Sequence, residues 1–352
     1  MKKDNSRIIG LDVLKCLCIA FVVFLHTGML KESFQTNLEP IGRFAVPCFF
    51  MITGFFYNTT VRNGKELKQI KKIFVLIIIV NLVLLALNII YIGDGAIDWI
   101  ISCFSKSKIF SLVVFNEGII TGHYGSNHVW YLNALLYVLI IAFVLRKLKL
   151  IRVLYYLTPI LLITGFILEC FSKPLFGVSF SDSDRYYIYR NFLTVGIPYF
   201  CIGNLLNEFD LITKLKPKRL LLIICTLITI ALSYLEFRVE LYFNLSTNGE
   251  FFIVTPLCAV CVFSLFCCLF EGENTNGFSR VLALIGRKYI VWIYLFHLPI
   301  IVIIGDMLPN LGIVSSNRII ISVLTLALSL IVAALVEYMI SVFKQKRGMN
   351  EK

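Results

Sequence analysis

Charge is scarce in this sequence. Asp, Glu, Lys and Arg make up only 15% of its 352 residues against 59% hydrophobic, too little polar surface to cover a water-soluble globule of this length. The fold class expected is therefore all-α, a polytopic membrane protein. Also missing are a Ser-centred nucleophile elbow, a GxGxxG turn and a P-loop spacing near any helix start, and with them the hydrolase and nucleotide-binding readings those loops carry. No internal repeat, low-complexity tract or soluble appendage is visible, so the chemistry falls to a membrane bundle and its loops. Cysteine is not scarce, but its eleven copies sit almost entirely inside apolar runs, where they behave as small hydrophobes. Cys258 and Cys261 have CxxC spacing without a second Cys or His cluster nearby, so no metal site is expected.

Apolar runs recur at roughly 8–30, 41–57, 71–92, 128–145, 150–170, 188–206, 219–235, 250–270, 289–305 and 318–343, about ten transmembrane helices within one integral membrane domain over 1–352. The first run follows a basic start, Lys2, Lys3 and Arg7, but is long, carries charges and lacks a small-residue cleavage site, so it reads as a retained span. With the N-terminus cytoplasmic, every inner segment is basic, and these segments hold most of the 33 Lys and Arg, which puts the C-terminus inside too. The formal charge of +12 is thus a topology signal and an attraction to anionic headgroups, with no argument for nucleic acid. One long outer segment, 93–127, contains Trp99 and a short apolar run, 109–115, too short to span and expected to lie in the interface or over an outer cavity.

Against that apolar background the first span stands out. Lys15 and His26 lie eleven residues apart, so on a helix they share a face within roughly 20° and stand about 16 Å apart along the axis. Asp12, three residues before Lys15, is placed to neutralise it. Ionisable groups inside a span are costly and usually line a pathway. There are only four histidines, and the topology puts them at mid-depth or outside: His26, His123 in the outer loop, His128 opening the fourth span beside Trp130 and Tyr131, and His297 halfway along the ninth. A near-neutral imidazole suits proton transfer, though a belt position for His128 and a packing hydrogen bond for His297 are the bland alternatives. The second span begins with Arg43 at its outer edge. Pro47 there is expected to bend or break the helix, and Thr53 and Gly54 to allow close helix approach.

These residues carry a family resemblance. The stretch LDVLKCLCIAFVVFLHTG resembles the first helix of the membrane acyltransferase-3 family, with a basic residue, ten intervening residues and a histidine, here Lys15 and His26 where Arg is the commoner cation. RFAVPCFFMITGFF is similar to the family's second motif, with Thr53 where Ser is usual. His128, Trp130, Tyr131 and Leu132 match its H-x-W-[FY]-L segment, Phe200 and Gly203 its F-x-x-G, and YLFHLPII its late histidine helix. The five matches follow family order over nearly the whole chain. Many relatives add an esterase-like or racemase domain, which is not expected here.

The resemblance implies transfer of an acyl group, most often acetyl, from cytosolic acyl-CoA to a hydroxyl of an envelope, capsular or exopolysaccharide sugar, or of a lipid-linked saccharide. The donor is a substrate and no tightly bound cofactor is expected. Lys15 with Asp12 would meet the donor, His26 would serve as general base or transiently acylated nucleophile, and His297, Arg43, His128, Trp130 and Tyr131 would orient the acceptor or stabilise the oxyanion. A lysine offers a phosphate a point charge without Arg's bidentate fork. The setting implied is a bacterial cytoplasmic membrane. The competing readings are a transporter or flippase of a lipid-linked saccharide, against which no repeated hydropathy halves appear, and a membrane-embedded sensor or scaffold. Acceptor sugar, acyl identity and oligomeric state are not readable from these residues.

Overall fold

The computed structural model describes residues 8–31, 37–180, 185–245, 249–270, 277–310 and 318–350, with side chains to 307 and to 345 in the last two segments. The basic N-terminal residues Lys2, Lys3 and Arg7 lie outside the described residues, as do the chain ends. Among the described residues the protein is all helical, with no strand. The helices are α1 (Ile9–Thr27), α2 (Ala45–Arg62), α3 (Glu66–Ile92), α4 (Ala96–Cys103), α5 (Lys106–Phe115), α6 (Trp130–Lys147), α7 (Arg152–Cys170) and α8 (Ser172–Phe176). They continue with α9 (Ile197–Glu208), α10 (Leu211–Leu215), α11 (Arg219–Tyr242), α12 (Thr255–Leu269), α13 (Gly277–Lys288), α14 (Ile290–Asn310) and α15 (Arg318–Asn350). Among the described residues eight segments are long and apolar enough to cross a membrane. The expected spans at 188–206 and 250–270 are the two that fall short: α9 has 12 helical residues after one π turn, and α12 has 15.

The chain divides into two compact units, one formed by residues up to Leu38 with those from Phe263 onward, the other by Glu39–Val262. In the first, α1, α13, α14 and α15 pack through small residues. The buried face of α13 is Ser279, Ala283 and Gly286, while Phe278 and Val281 point outward. A methyl group built on Gly286 would stand 1.8 Å from the Asp12 carbonyl oxygen, and one on Gly10 would stand 1.9 Å from that of Phe266. Only hydrogen fits at such backbone crossings, which is how helices associate where lipid removes any hydrophobic drive between them. Ser322, Thr325, Ser329 and Ala333 make a similar buried row on α15.

In the second unit α2 and α9 cross in the same way. A methyl on Gly54 would lie 1.9 Å from the Phe200 oxygen and one on Gly203 2.0 Å from the Met51 oxygen. Asn204 Nδ2 donates to the Gly54 carbonyl at 3.0 Å and Asn207 Nδ2 to that of Phe55 at 2.6 Å. Phe200 and Gly203, picked out by sequence as a motif, are thus the crossing itself. At the far end of α2, Tyr57 donates to Glu66 at 2.8 Å, and Arg146 forks onto the same carboxylate, joining α2, α3 and α6. Pro47 does not bend α2. It occupies the third position of the helix, in the first turn, where the missing N–H would have had no intrahelical partner.

The segment between α3 and α6 is held by asparagines. Asn88 donates to the Tyr124 carbonyl and accepts the Tyr124 N–H, at 2.9 and 3.1 Å. Asn116 donates to the Trp130 carbonyl and accepts from Phe192, and Asn133 donates to the Asn116 carbonyl. Helices α4 and α5, of 8 and 10 residues, are too short to span. A cavity of about 250 Å³ bordered by Ile77, Asn81, Leu85, Phe104, Leu112 and Ile120 lies beneath them.

Candidate active site

The first unit carries the histidines. Helix α1 is continuous from Ile9 to Thr27, so Lys15 and His26 ride on one rigid rod. Lys15 Nζ donates to Asp12 Oδ1 at 3.0 Å, one turn back. Asp12 is buried, whereas about a quarter of the Lys15 side chain is exposed (26%), so the ammonium is restrained on one side and open on another. Eleven residues on, the His26 ring is exposed and stands 5.2 Å from the ring of His297, tilted by 47°. His297 is fully buried on α14, and its Nδ1 lies 2.7 Å from the Tyr294 carbonyl oxygen. A carbonyl only accepts, so Nδ1 carries the proton and, in the neutral ring, Nε2 holds the lone pair.

The end of α1 beside His26 is fixed from outside the helix. Gly28 takes a left-handed conformation (φ 67°), and the N–H groups of Gly28 and Met29 return to Leu25 and Phe24. Arg318, at the start of α15, donates to the carbonyls of Gly28 and Lys31, and the Thr27 and Ser322 hydroxyls meet at 2.5 Å. A cation against the last carbonyls of a helix complements both their unmet acceptors and the dipole.

The second unit carries the arginines. Arg43 follows a 3-10 turn, Glu39–Gly42, and lies between two carboxylates, 3.5 Å from Glu39 and 3.6 Å from Glu250. Arg190 holds Glu250 more tightly: its Nη1 donates to Oε1 at 2.9 Å. The Arg190 guanidinium carbon sits 4.3 Å from the Tyr186 ring centroid and 5.2 Å from that of Trp130, within cation–π range of both. The Glu250 backbone N–H is itself anchored on Glu169 at 2.9 Å. Trp130 therefore belongs to this network with Arg43. Tyr131 packs instead on Phe50, centroid to centroid 4.7 Å, and His128 is 1% exposed in the 3-10 turn before α6. His123, between α5 and α6, stacks on Tyr91 at 4.0 Å.

Glu39, Tyr186, Arg190 and Glu250 were not singled out by sequence reading. Glu39 and Tyr186 stand just ahead of apolar runs, and Arg190 and Glu250 at the first residues of runs read as spans, where a polar residue looks like an interface position. The available signal was that a carboxylate, Glu250, stands immediately before an apolar run.

A family described as an acyltransferase domain matches residues 8–338 of the chain. No curated protein and no solved structure matches it. The match runs into the last span and takes in both sets of polar residues, the histidine pair and the arginine–glutamate network. The chain belongs to the acyltransferase-3 family and is a multi-pass membrane acyltransferase.

Proposed function

We propose that the protein moves an acyl group, most simply acetyl, from cytosolic acyl-CoA to a sugar hydroxyl of an envelope polysaccharide or its lipid-linked precursor at a bacterial cytoplasmic membrane. The observation that carries this reading is the pairing of His26 with His297 on the same helix system that bears the Lys15–Asp12 pair, in a chain of this family. Lys15 faces the donor phosphates with a charge that Asp12 restrains, and the thin acyl arm runs along α1 toward His26. At His26 the acceptor hydroxyl loses its proton to the imidazole as its oxygen bonds the acyl carbon. The thioester C–S bond breaks, and the thiolate takes the proton back. In the two-step variant a His26 nitrogen bonds the acyl carbon as the C–S bond breaks and the CoA thiolate leaves; the acceptor oxygen then displaces the imidazole, which leaves with the hydroxyl proton. His297, its ring 5.2 Å from that of His26, hydrogen-bonds the reacting groups in either route.

The test is proton NMR of O-acyl groups on envelope and capsular polysaccharide from a strain lacking the protein, complemented with wild type or His26→Ala at matched membrane levels. O-acyl resonances that return only with the wild type support the proposal, and the restored signal names the acceptor. Equal restoration by His26→Ala removes His26 from the chemistry. Loss of total polymer with unchanged O-acylation of what remains makes export the better reading. Radiolabelled acyl group retained on His26 after donor alone would establish the two-step route.

A further inference from the structure

The cavity beneath α4 and α5 has no part in the acyl-transfer reading. An apolar void of about 150 Å³ admits benzene, so this one, at about 250 Å³, holds a run of methylenes. Its lining is almost wholly apolar, with Ile78, Leu82 and Leu85 from α3, Leu112 from α5 and Phe104 from the turn between α4 and α5. Ile78, Leu82 and Phe104 are also 42%, 58% and 50% exposed, so the cavity opens on the surface that a spanning helix presents to lipid. Along α3, Leu85 and Ile78 lie seven and fourteen residues before Ile92, about 10 and 21 Å from the helix end. Those depths belong to lipid chains, in a bilayer about 30 Å thick in its hydrocarbon and about 40–45 Å with its headgroups.

Positive charge stands at the edge of the same cavity. Lys108 is four residues before Leu112 on α5, hence on the same face and one turn away, and Lys106 begins that helix. Neither lysine has a hydrogen bond or an ion pair among the described residues. The acids of this segment, Asp94, Asp98 and Glu117, stand at the far ends of α4 and α5 from the turn that carries the lysines. Two unpaired ammoniums beside a lipid-facing opening suit an amphiphile with an anionic head, and a lysine meets a phosphate as a point charge. The one discordant group is Asn81 on α3. Its Nδ2 donates to the Ile77 carbonyl at 2.8 Å, while its Oδ1, in the lining, is buried without a hydrogen bond. A plain hydrocarbon chain offers that acceptor nothing, which makes Asn81 a probe of what the cavity holds.

We propose that this cavity takes one hydrocarbon chain of a phosphate-headed membrane lipid, with Lys106 and Lys108 on the phosphate. The test is native mass spectrometry of the full chain in detergent, titrated with oleoyl lysophosphatidate, a single-chain phosphate lipid. Oleyl alcohol supplies the chain alone and glycerol phosphate the head alone. Lysophosphatidate binds more tightly than either, and the double variant Lys106→Ala, Lys108→Ala weakens it by about tenfold or more, as expected for two cations lost at a membrane surface. Leu85→Trp fills the cavity and brings lysophosphatidate down to the level of glycerol phosphate, with the thermal midpoint as the check on folding. If that variant does not fold, the lysine pair and Asn81→Leu decide. Asn81→Leu keeps the shape and removes the unmet acceptor, so binding is unchanged or tighter. Glycerol phosphate binding as tightly as lysophosphatidate leaves only an adventitious anion on two lysines. Unchanged binding in the double-lysine variant takes the phosphate away from them, and weaker binding in Asn81→Leu gives the cavity to an occupant that carries a hydrogen-bond donor. Each of these three results overturns the proposal.

Discussion

The two units place polar groups by opposite means. In the first, Asp12, Lys15, His26 and His297 sit within continuous helices, and the helices are brought together by glycine and small residues whose absent side chains let backbones touch. In the second, Arg43, Arg190, Glu250 and Trp130 sit at helix beginnings or in the turns before them, and charge pairs and asparagine bridges bring them together. A group carried on a helix has its direction set by 3.6-residue periodicity alone. A group in a turn acquires a direction only when partners tens or hundreds of residues away have folded. The first arrangement gives rigidity along the chain, the second ties together residues far apart in sequence.

The sharpest break of this comparison is chemical. His26→Ala is expected to lower acyl transfer by about 10²–10⁴-fold, the usual worth of a positioned acid–base group, with no change in thermal midpoint because the ring is exposed. Turnover and melting of the purified variant decide it, and a fold-level loss would mean that His26 is structural. Next come the crossings. Gly286→Leu in the first unit and Gly54→Leu in the second force a side chain into space 1.8 and 1.9 Å from a carbonyl oxygen, so the helices must part. Destabilisation of about 1–3 kcal/mol or more is expected for each, read as a drop in thermal midpoint in one detergent. A neutral result at either site would show that its crossing is looser than drawn. Gly277, around which nothing lies within 4 Å, is the matching control.

A smaller effect belongs to the tie at the other end of α2. Glu66→Gln leaves Arg146 without its fork and Tyr57 with a weaker acceptor. Loss of a fully buried pair costs about 3–5 kcal/mol, but the Arg146 side chain is 27% exposed, so solvent screening brings the expected loss to about 1–2 kcal/mol. Tyr57→Phe in both backgrounds completes a cycle, and coupling near zero would reduce the triad to independent contacts.

What sequence alone could reveal follows the same division. Lys15 and His26 were legible because an eleven-residue spacing on one helix fixes a common face without any other information, and α1 runs unbroken through both. Eight long spans were legible from hydropathy, while α9 and α12 carry fewer helical residues than their apolar runs because the chain ahead of each is spent on turns that place Arg190 and Glu250. Pro47 was legible as a breaker but not as a starter: the same missing N–H that breaks a helix interior is harmless in its first turn, and only the position of the turn tells them apart. The asparagines at 88, 116, 133 and 191 gave no periodic signal, since each bonds backbone and acts as a local substitute for a helix or sheet ladder. Arg190 and Glu250 are 60 residues apart and meet only in the folded chain.

The smallest expected effect probes whether the two means of placement meet at His26. Its helix is of the first kind, yet the chain just past that helix is clamped by a residue of the second kind, Arg318, donating to the Gly28 and Lys31 carbonyls. Arg318 is exposed, so its contribution to stability is a surface one, and Arg318→Ala is expected to cost at most about 0.5–1 kcal/mol. Its contribution to geometry is the sharper question. If the clamp positions His26, turnover in Arg318→Ala falls more than stability does, KM for the donor is unchanged, and Arg318→Lys restores part of the loss by meeting a carbonyl with a single ammonium. If turnover follows stability alone, the Gly28 cap and the Thr27–Ser322 contact hold the helix end without it, and α1 is a rod whose direction is settled within its own sequence.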